Sequence, residues 1–441
     1  MDRRLTVAAI VAVGAWARTA VAGPDRTEDG RCIGPLDEAV VVRCALAASP
    51  EVRSARAELD AANGRRATAG IVLPSNPTLG GTLARRTTPA PDSVSVPNWS
   101  VTLSQELEIA GQRGARVDAA DAEVSARTRA VAVAEQEVMA GALAAFYEAL
   151  AAQESVRFAA ELADGAKTLV TYAEARAKEE LIAGVEADVA RAEAVRIGLV
   201  RVDAERKLTQ ARAALAVLLD IEPPTLRLPG ALPPTAIPEA MGRRLAASDN
   251  APQLEEEALR LRGEVAAAEM ERQVLERRLA LVRRGRIPNP TVSAFVAREE
   301  INDRVVGLGL SIPIPLPEPL GRTRSGEIAE AIGQLRAAEV SVNLVRRRVR
   351  LEVSRAVAAF TARQSAADLI APDLITRAHA DLSSLREAVK ARQLPLREGL
   401  LWQRSLIDLL QADIDARLAQ ALAWVELRRV VGLRLGPTGG E

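Results

Sequence analysis

The chain has 441 residues, of which 48% are hydrophobic but only 2% aromatic. Lys+Arg and Asp+Glu each total 58, giving zero formal net charge, so neither a nucleic-acid-binding surface nor any particular charged partner is indicated. Alanine carries much of the apolar count, which points to long packed helices and away from an aromatic-centred globular core.

Met1-Asp2-Arg3-Arg4 precedes an apolar run from Leu5 to Ala17, and Ala20-Val21-Ala22 offers a small-residue cleavage site. This is the layout of a secretory signal peptide over residues 1–22. The competing reading, a membrane anchor, needs about 20 apolar residues and the run is shorter. Residues 23–35 read as a flexible leader rich in Pro, Asp and Gly. Cys32 and Cys44 are the only cysteines. In an oxidising compartment they could close a short loop as a disulfide, with two unpaired thiols the equal alternative. Asp29-Gly30-Arg31 lacks the small and apolar residues that lipidation at Cys32 would require.

Residues 36–221 and 251–432 read as two copies of one structural half, with 222–250 a Pro-rich linker and 433–441 a tail. "LPSNPTL" from Leu73 returns as "IPNPTV" from Ile287. Pro77 pairs with Pro290, Gly111 with Gly321 and Phe146 with Phe360, at offsets of roughly 210, too long for a solenoid repeat. A helix opens at Ser49-Pro50 in one copy, capped by Ser49, and at Asn250-Ala251-Pro252 in the other. In the first copy this helix is expected to reach about Val72.

Alternation follows. Trp99, Val101, Leu103, Leu107 and Ile109 interleave with polar residues, and Val306, Leu308, Leu310, Ile312, Ile314 and Leu316 alternate with Gly307, Gly309, Ser311, Pro313 and Pro315. Shorter partners carry Leu79 and Leu83, and Val292, Ala294 and Val296. Each half thus supplies a strand pair. The helical period then resumes, with Val117, Val124, Val131 and Val138, and with Leu344 and Leu351, spaced as a coiled-coil seam. Each long helix is expected to run about 70 residues, or roughly 100 Å, unbroken to turns near Gly184 and Pro395. A return helix of about half that length follows each turn.

Four amphipathic strands whose apolar face met lipid would need every edge paired. Four are too few to close alone, because spanning barrels start at about eight strands. Several chains sharing one barrel above a helical tube is the favoured arrangement. A soluble α+β protein with strands covering its own helices is the alternative.

These segments, with "LDEAVVVRCALAASPEVRSARAELDAA" from Leu36, "VTLSQELEIAGQRGARVDAA" from Val101, "GVEADVARAE" from Gly184 and "VGLGLSIPIPL" near Val306, resemble the TolC family of outer-membrane efflux proteins. The resemblance implies a mainly α fold with a small membrane β-barrel portion. In it, a long coiled-coil tunnel and four strands per chain complete a trimeric twelve-stranded barrel in the outer membrane of a Gram-negative bacterium. It implies a homotrimer working with a periplasmic adaptor and an inner-membrane pump. "IAGQRGAR" from Ile109 is similar to the cation-efflux branch, whose pumps are of the proton-driven RND type. The expected function is therefore a passive exit duct, with heavy-metal cations as a cargo class. The alternative from another class is a periplasmic coiled-coil scaffold that transports nothing.

No catalytic constellation appears. His379 is the only histidine and lies mid-helix without a nearby nucleophile, so no enzyme is expected. One histidine and two N-terminal cysteines make no zinc site. Gly80-Gly81 opens no helix and forms no phosphate loop. No cofactor or metal site is expected.

The resemblance places adaptor contact or a gate at the two helical turns: Gly184, Val185, Glu186 and Asp188 in the first, Leu394, Pro395, Arg397 and Glu398 in the second. Asp188 and Glu398 read as equivalents, each able to cap its returning helix, and Pro395 stands where the family usually has a small flexible residue. Arg191, Arg392 and Arg397 read as a solvated face, with ion pairs across the tip as the alternative. The lipid-facing set is Trp99, Val101, Leu103, Val306, Leu308 and Leu310, with Trp99 suited to a membrane interface.

Overall fold

A computed structural model describes residues 36–87, 95–223, 226–229, 232, 251–299, 303–316, 321, 323–391, 393–433 and 435. The expected signal peptide and leader, Cys32, Arg392 and most of the linker and tail lie outside them. In chain order the elements are α1 (Glu38–Ala48), α2 (Pro50–Ala69), β1 (Thr78–Thr87), β2 (Ser95–Glu106), α3 (Gln112–Lys178) and α4 (Gly184–Leu219). The second half gives α5 (Ala251–Leu261), α6 (Gly263–Arg284), β3 (Thr291–Glu299), β4 (Asp303–Ser311), α7 (Ser325–Asp368), α8 (Pro372–Lys390) and α9 (Leu396–Val431). Among the described residues no helix is long and apolar enough to cross a membrane.

Local chemistry sets the boundaries. The Asp37 carboxylate caps α1 by accepting from the Val40 N–H at 2.7 Å. Ser49 caps α2, accepting from Val52 at 3.2 Å, and Pro50 sits at the first helical position, where its missing N–H costs nothing. Gly70 ends α2 before the expected Val72.

The counterpart of Ser49 is Arg262, not Asn250. Each is a single non-helical residue between two helices. Ser49 does its work with a cap, whereas Arg262 is buried at 4% exposure and forms ion pairs with Glu264 and Glu352. Likewise Gly111 (φ 69°) is matched by Arg324 (φ 58°), the left-handed residue before α7, and not by Gly321.

The strands form one antiparallel sheet in sequence order, β1-β2-β3-β4. Strand β2 ends at Glu106 and β4 at Ser311, short of the expected Ile109 and Leu316. Beyond Ser311 the prolines at 313 and 315 have no N–H to donate to a ladder.

The long helices differ. α3 runs 67 residues without a break, about 100 Å at 1.5 Å per residue. The second copy stops at Asp368 after 44 residues and restarts at Pro372. The expected unbroken run to Pro395 is therefore wrong. Pro372 would clash within a continuous helix but fits a first turn.

The main core lies between α1, α3, α4, α8 and α9 and contains Leu143, Phe146, Tyr147 and Leu150. A second cluster unites α5, α6, α7 and α9 around Phe360 and Trp424, whose rings lie 6.0 Å apart. Buried positions on α7 include Val342, Val349 and Val353. Leu344 and Leu351, read as a seam, face outward at 57% and 49% exposure.

Candidate functional site

The sheet is almost devoid of buried side chains: along its four strands only Ala297 is buried. Its apolar face is nonetheless continuous. Register aligns Gly81, Val101, Val296 and Val306 in one row and Leu79, Leu103, Ala294 and Leu308 in the next. Val292 and Leu310 extend it below, and Leu83 with Trp99 closes it above. All six residues expected to face lipid lie on this face and are exposed, from Trp99 at 39% to Leu308 at 83%. The opposite face carries polar Ser100, Thr102, Ser104 and Ser293 together with Phe295, Ala297 and Val305. The chain's own helices therefore do not cover the strands, which removes the packing that the soluble α+β alternative required. Strands β1 and β4 are both edges, each presenting one unpaired ladder of backbone groups.

Where the sheet meets the helices, a polar lattice fixes the strand ends. Asn289 Nδ2 donates to Glu106 at 2.8 Å, and Gln112 Nε2 donates to Asn289 at 2.9 Å and to the Ile287 carbonyl at 3.2 Å. Glu108, buried to 7% side-chain exposure, pairs with Arg116. Sequence reading did not single out these residues, because Asn289 and Gln112 look like turn residues until the two halves are brought together.

At the far end of the hairpins, both turns use the same backbone device. In the first, Glu180 N–H donates to Ala177 and Leu181 N–H to Arg176, at 3.1 and 3.0 Å, the paired bonds of a Schellman ending. Glu180 takes the left-handed conformation (φ 58°) usually left to glycine, while Gly184 is simply the first residue of α4. In the second, Gln393 N–H donates to Ala388 at 2.9 Å. The returning helices then begin after extended residues Ala183 (φ −68°) and Pro395 (φ −59°). Pro395 thus fits the geometry its partner already has.

Neither returning helix has a side-chain cap, which corrects the expected capping by Asp188 and Glu398. The equivalence also shifts: Glu186 and Glu398 are each the third residue of their helix, where a carboxylate favours the helix dipole. Asp188 lies farther along, paired with Arg191 at 3.1 Å. Arg191 also holds Glu174 at 2.9 Å, so its bonds stay within the first hairpin. Val185, Pro395, Arg397 and Glu398 are exposed, Leu394 is half-buried, and Leu396 is buried.

The structure brings the two turns together. Leu169 and Ala173 of α3, Ala187 and Ala190 of α4, Val389 of α8 and Leu396 of α9 form one apolar cluster. Gly399 is needed there, since a Cβ would meet Val389 at 2.6 Å. Farther up, Arg404 of α9 reaches Glu193 of α4 at 3.1 Å, and Glu193 also holds Arg196 at 2.6 Å. Burial alone would push the Glu193 carboxyl up, but Arg196 and Arg404 outweigh it and hold it below the ordinary carboxylate value. Cys44 is buried on α1; Cys32, its candidate disulfide partner, lies outside the described residues.

Residues 41–220 match the family model described as "Outer membrane efflux protein". The chain is 28% identical over 342 residues to the cobalt-zinc-cadmium resistance protein CzcC of Cupriavidus metallidurans, covering 74% of this chain and 75% of that one. Among solved structures, the outer-membrane channel OprN superposes with a TM-score of 0.72 at 18% identity, covering 90% of both chains. The outer membrane protein VceC of Vibrio cholerae gives 0.69 at 18% identity, covering 90% of this chain and 96% of that one.

Proposed function

We infer that this chain, which belongs to the outer membrane efflux protein family, is the exit duct of a tripartite efflux system. It is an outer-membrane channel protein with a large periplasmic helical part, and it is not an enzyme. Three copies close a twelve-stranded barrel, β4 of each pairing with β1 of the next, and their hairpins continue it as a tunnel. The observation that carries this reading is a sheet whose apolar face is exposed and whose two edges are open, a state tolerable only if lipid covers the face and other strands satisfy the edges. Unpartnered apolar positions on the hairpins support it. Val185, Val189, Leu199 and Val202 on α4, and Leu344 and Leu351 on α7, are all at least 48% exposed in one chain.

The tip residues Gly184, Val185, Glu186 and Asp188, with Leu394, Pro395, Arg397 and Glu398, are the proposed contact for a periplasmic adaptor and the rim of a gate. An inner-membrane RND pump supplies the energy, and divalent heavy-metal cations are the proposed cargo. The similarity to a cobalt-zinc-cadmium resistance protein and the "IAGQRGAR" stretch support that choice.

Placing charges on the apolar face tests the duct against the scaffold. Val101→Asp with Leu310→Asp puts two carboxylates at membrane depth, costing several kcal/mol. The variant should be lost from the outer-membrane fraction. If it inserts and restores efflux like the wild type, the barrel reading fails. Growth of a deletion strain on cobalt, zinc and cadmium salts tests the cargo; sensitivity to drugs alone would contradict it.

A further inference from the structure

The apolar face of the sheet ends, on the side away from the helices, in cations. Register puts Leu83, Trp99, Arg298 and Arg304 in one row across all four strands, and Arg85 lies one row beyond on the same face. We propose that Arg85, Arg298 and Arg304 form a binding site for the phosphate groups of a lipid headgroup in the outer leaflet. The proposal rests on the barrel reading above, which makes this end of the sheet the outward one.

Three observations support it. First, Arg298 and Arg304 are direct cross-strand partners, and like charges in that position destabilise a sheet unless an anion lies between them. Among the described residues no carboxylate shares the face: the neighbouring Glu299 and Asp303 alternate to the opposite side. Second, Arg298 Nε is shielded from solvent and has no hydrogen-bond partner among the described residues. Third, three arginines at the other end of the sheet are held by partners within the chain. Arg113 donates to the Gly70 carbonyl at 2.9 Å, Arg284 to the Ala110 and Gly111 carbonyls at 3.2 Å, and Arg116 to Glu108.

A guanidinium fork matches a phosphate bidentately. Long basic side chains at the edge of an apolar band reach up to the headgroup level, where an indole such as that of Trp99 also rests. Arg85 is on edge strand β1 and Arg304 on edge strand β4, so pairing of those edges between copies brings the third cation to the same seam.

The test uses the full chain in nanodiscs, with lipid A bearing two phosphates, or dephosphorylated lipid A, as the probe. Lipid retained on the protein is read by native mass spectrometry. Wild type should retain the phosphorylated form about tenfold more than Arg298→Gln/Arg304→Gln does, as loss of charge-assisted phosphate bonds implies. It should prefer that form over the dephosphorylated one, and Arg298→Lys/Arg304→Lys should recover part of the difference. Equal retention by both inserted proteins would overturn the proposal, as would indifference of the wild type to phosphate. So would displacement by inorganic phosphate at equal concentration, which would mark a free-anion site. A wild type that never enters the bilayer would defeat the barrel reading itself, an outcome distinct from insertion without discrimination.

Discussion

The two hairpins are copies that solve one problem differently. In the first, α3 runs 67 residues without interruption. In the second, the chain stops at Asp368, exposes Leu369 at 84%, and restarts at Pro372. Ala159, which stands as far from Gly111 as Pro372 does from Arg324, is buried at 1%. In the first hairpin α3 is therefore the unbroken wall against which α1, α2, α4, α6 and α9 pack. The second carries a joint between α7 and α8. The turns, by contrast, share one main-chain bond, Leu181 N–H to Arg176 and Gln393 N–H to Ala388, and differ in the extended residue before the returning helix, Ala183 in the first and Pro395 in the second.

The largest test of this contrast is to copy the joint into the wall. Ala159→Pro removes a helical hydrogen bond and clashes with the preceding turn, so it should cost about 3 kcal/mol or more. Thermal melting of the detergent-solubilised protein should fall sharply. A melting point within a degree or two of wild type would show that α3 is no more rigid than its divided partner.

A smaller effect is expected where the hairpins are tied together. Glu193 of α4 and Arg404 of α9 form the link, and Glu193→Gln should cost about 1 kcal/mol near neutral pH. The Glu193 carboxyl titrates below its ordinary value when folded. Its contribution is therefore complete above the unfolded carboxylate pKa and disappears as pH falls through the folded one. Melting curves of wild type and variant should converge in acid; a constant gap at every pH would assign the loss to packing instead.

The smallest effect concerns the first tip. Glu180→Gly relieves a left-handed side chain and should stabilise by about 0.5 kcal/mol. Destabilisation would mean that the Glu180 side chain makes a contact worth more than its backbone strain.

Much of this architecture was legible in the sequence, because its signals are local and periodic. Alternation at Trp99–Leu103 and Val306–Leu310 marked the strands and their apolar face, and the repeated Asn-Pro-Thr motif marked the halves. Pro372 was equally visible but was passed over within a long alanine-rich helical pattern. Matching the halves by residue type misaligned Gly111 with Gly321 and Asp188 with Glu398. What the backbone conserves is conformation, so Arg324 takes the glycine's place and Glu186 the aspartate's. The polar lattice of Glu106, Gln112 and Asn289 joins residues of different halves and has no short-range signature. The rim arginines emerged only when register placed Arg298 beside Arg304.

The central claim is that β1 and β4 are edges only in the isolated chain. It can be tested directly by placing a cysteine at Leu83 on β1 and, in turn, at Val306, Leu308 or Leu310 on β4, then oxidising intact outer membranes. Pairing of edges between copies predicts that at least one combination yields a covalent ladder ending at three chains on a denaturing gel. Monomer alone at every pairing, from protein that is present in the membrane, would contradict the shared barrel.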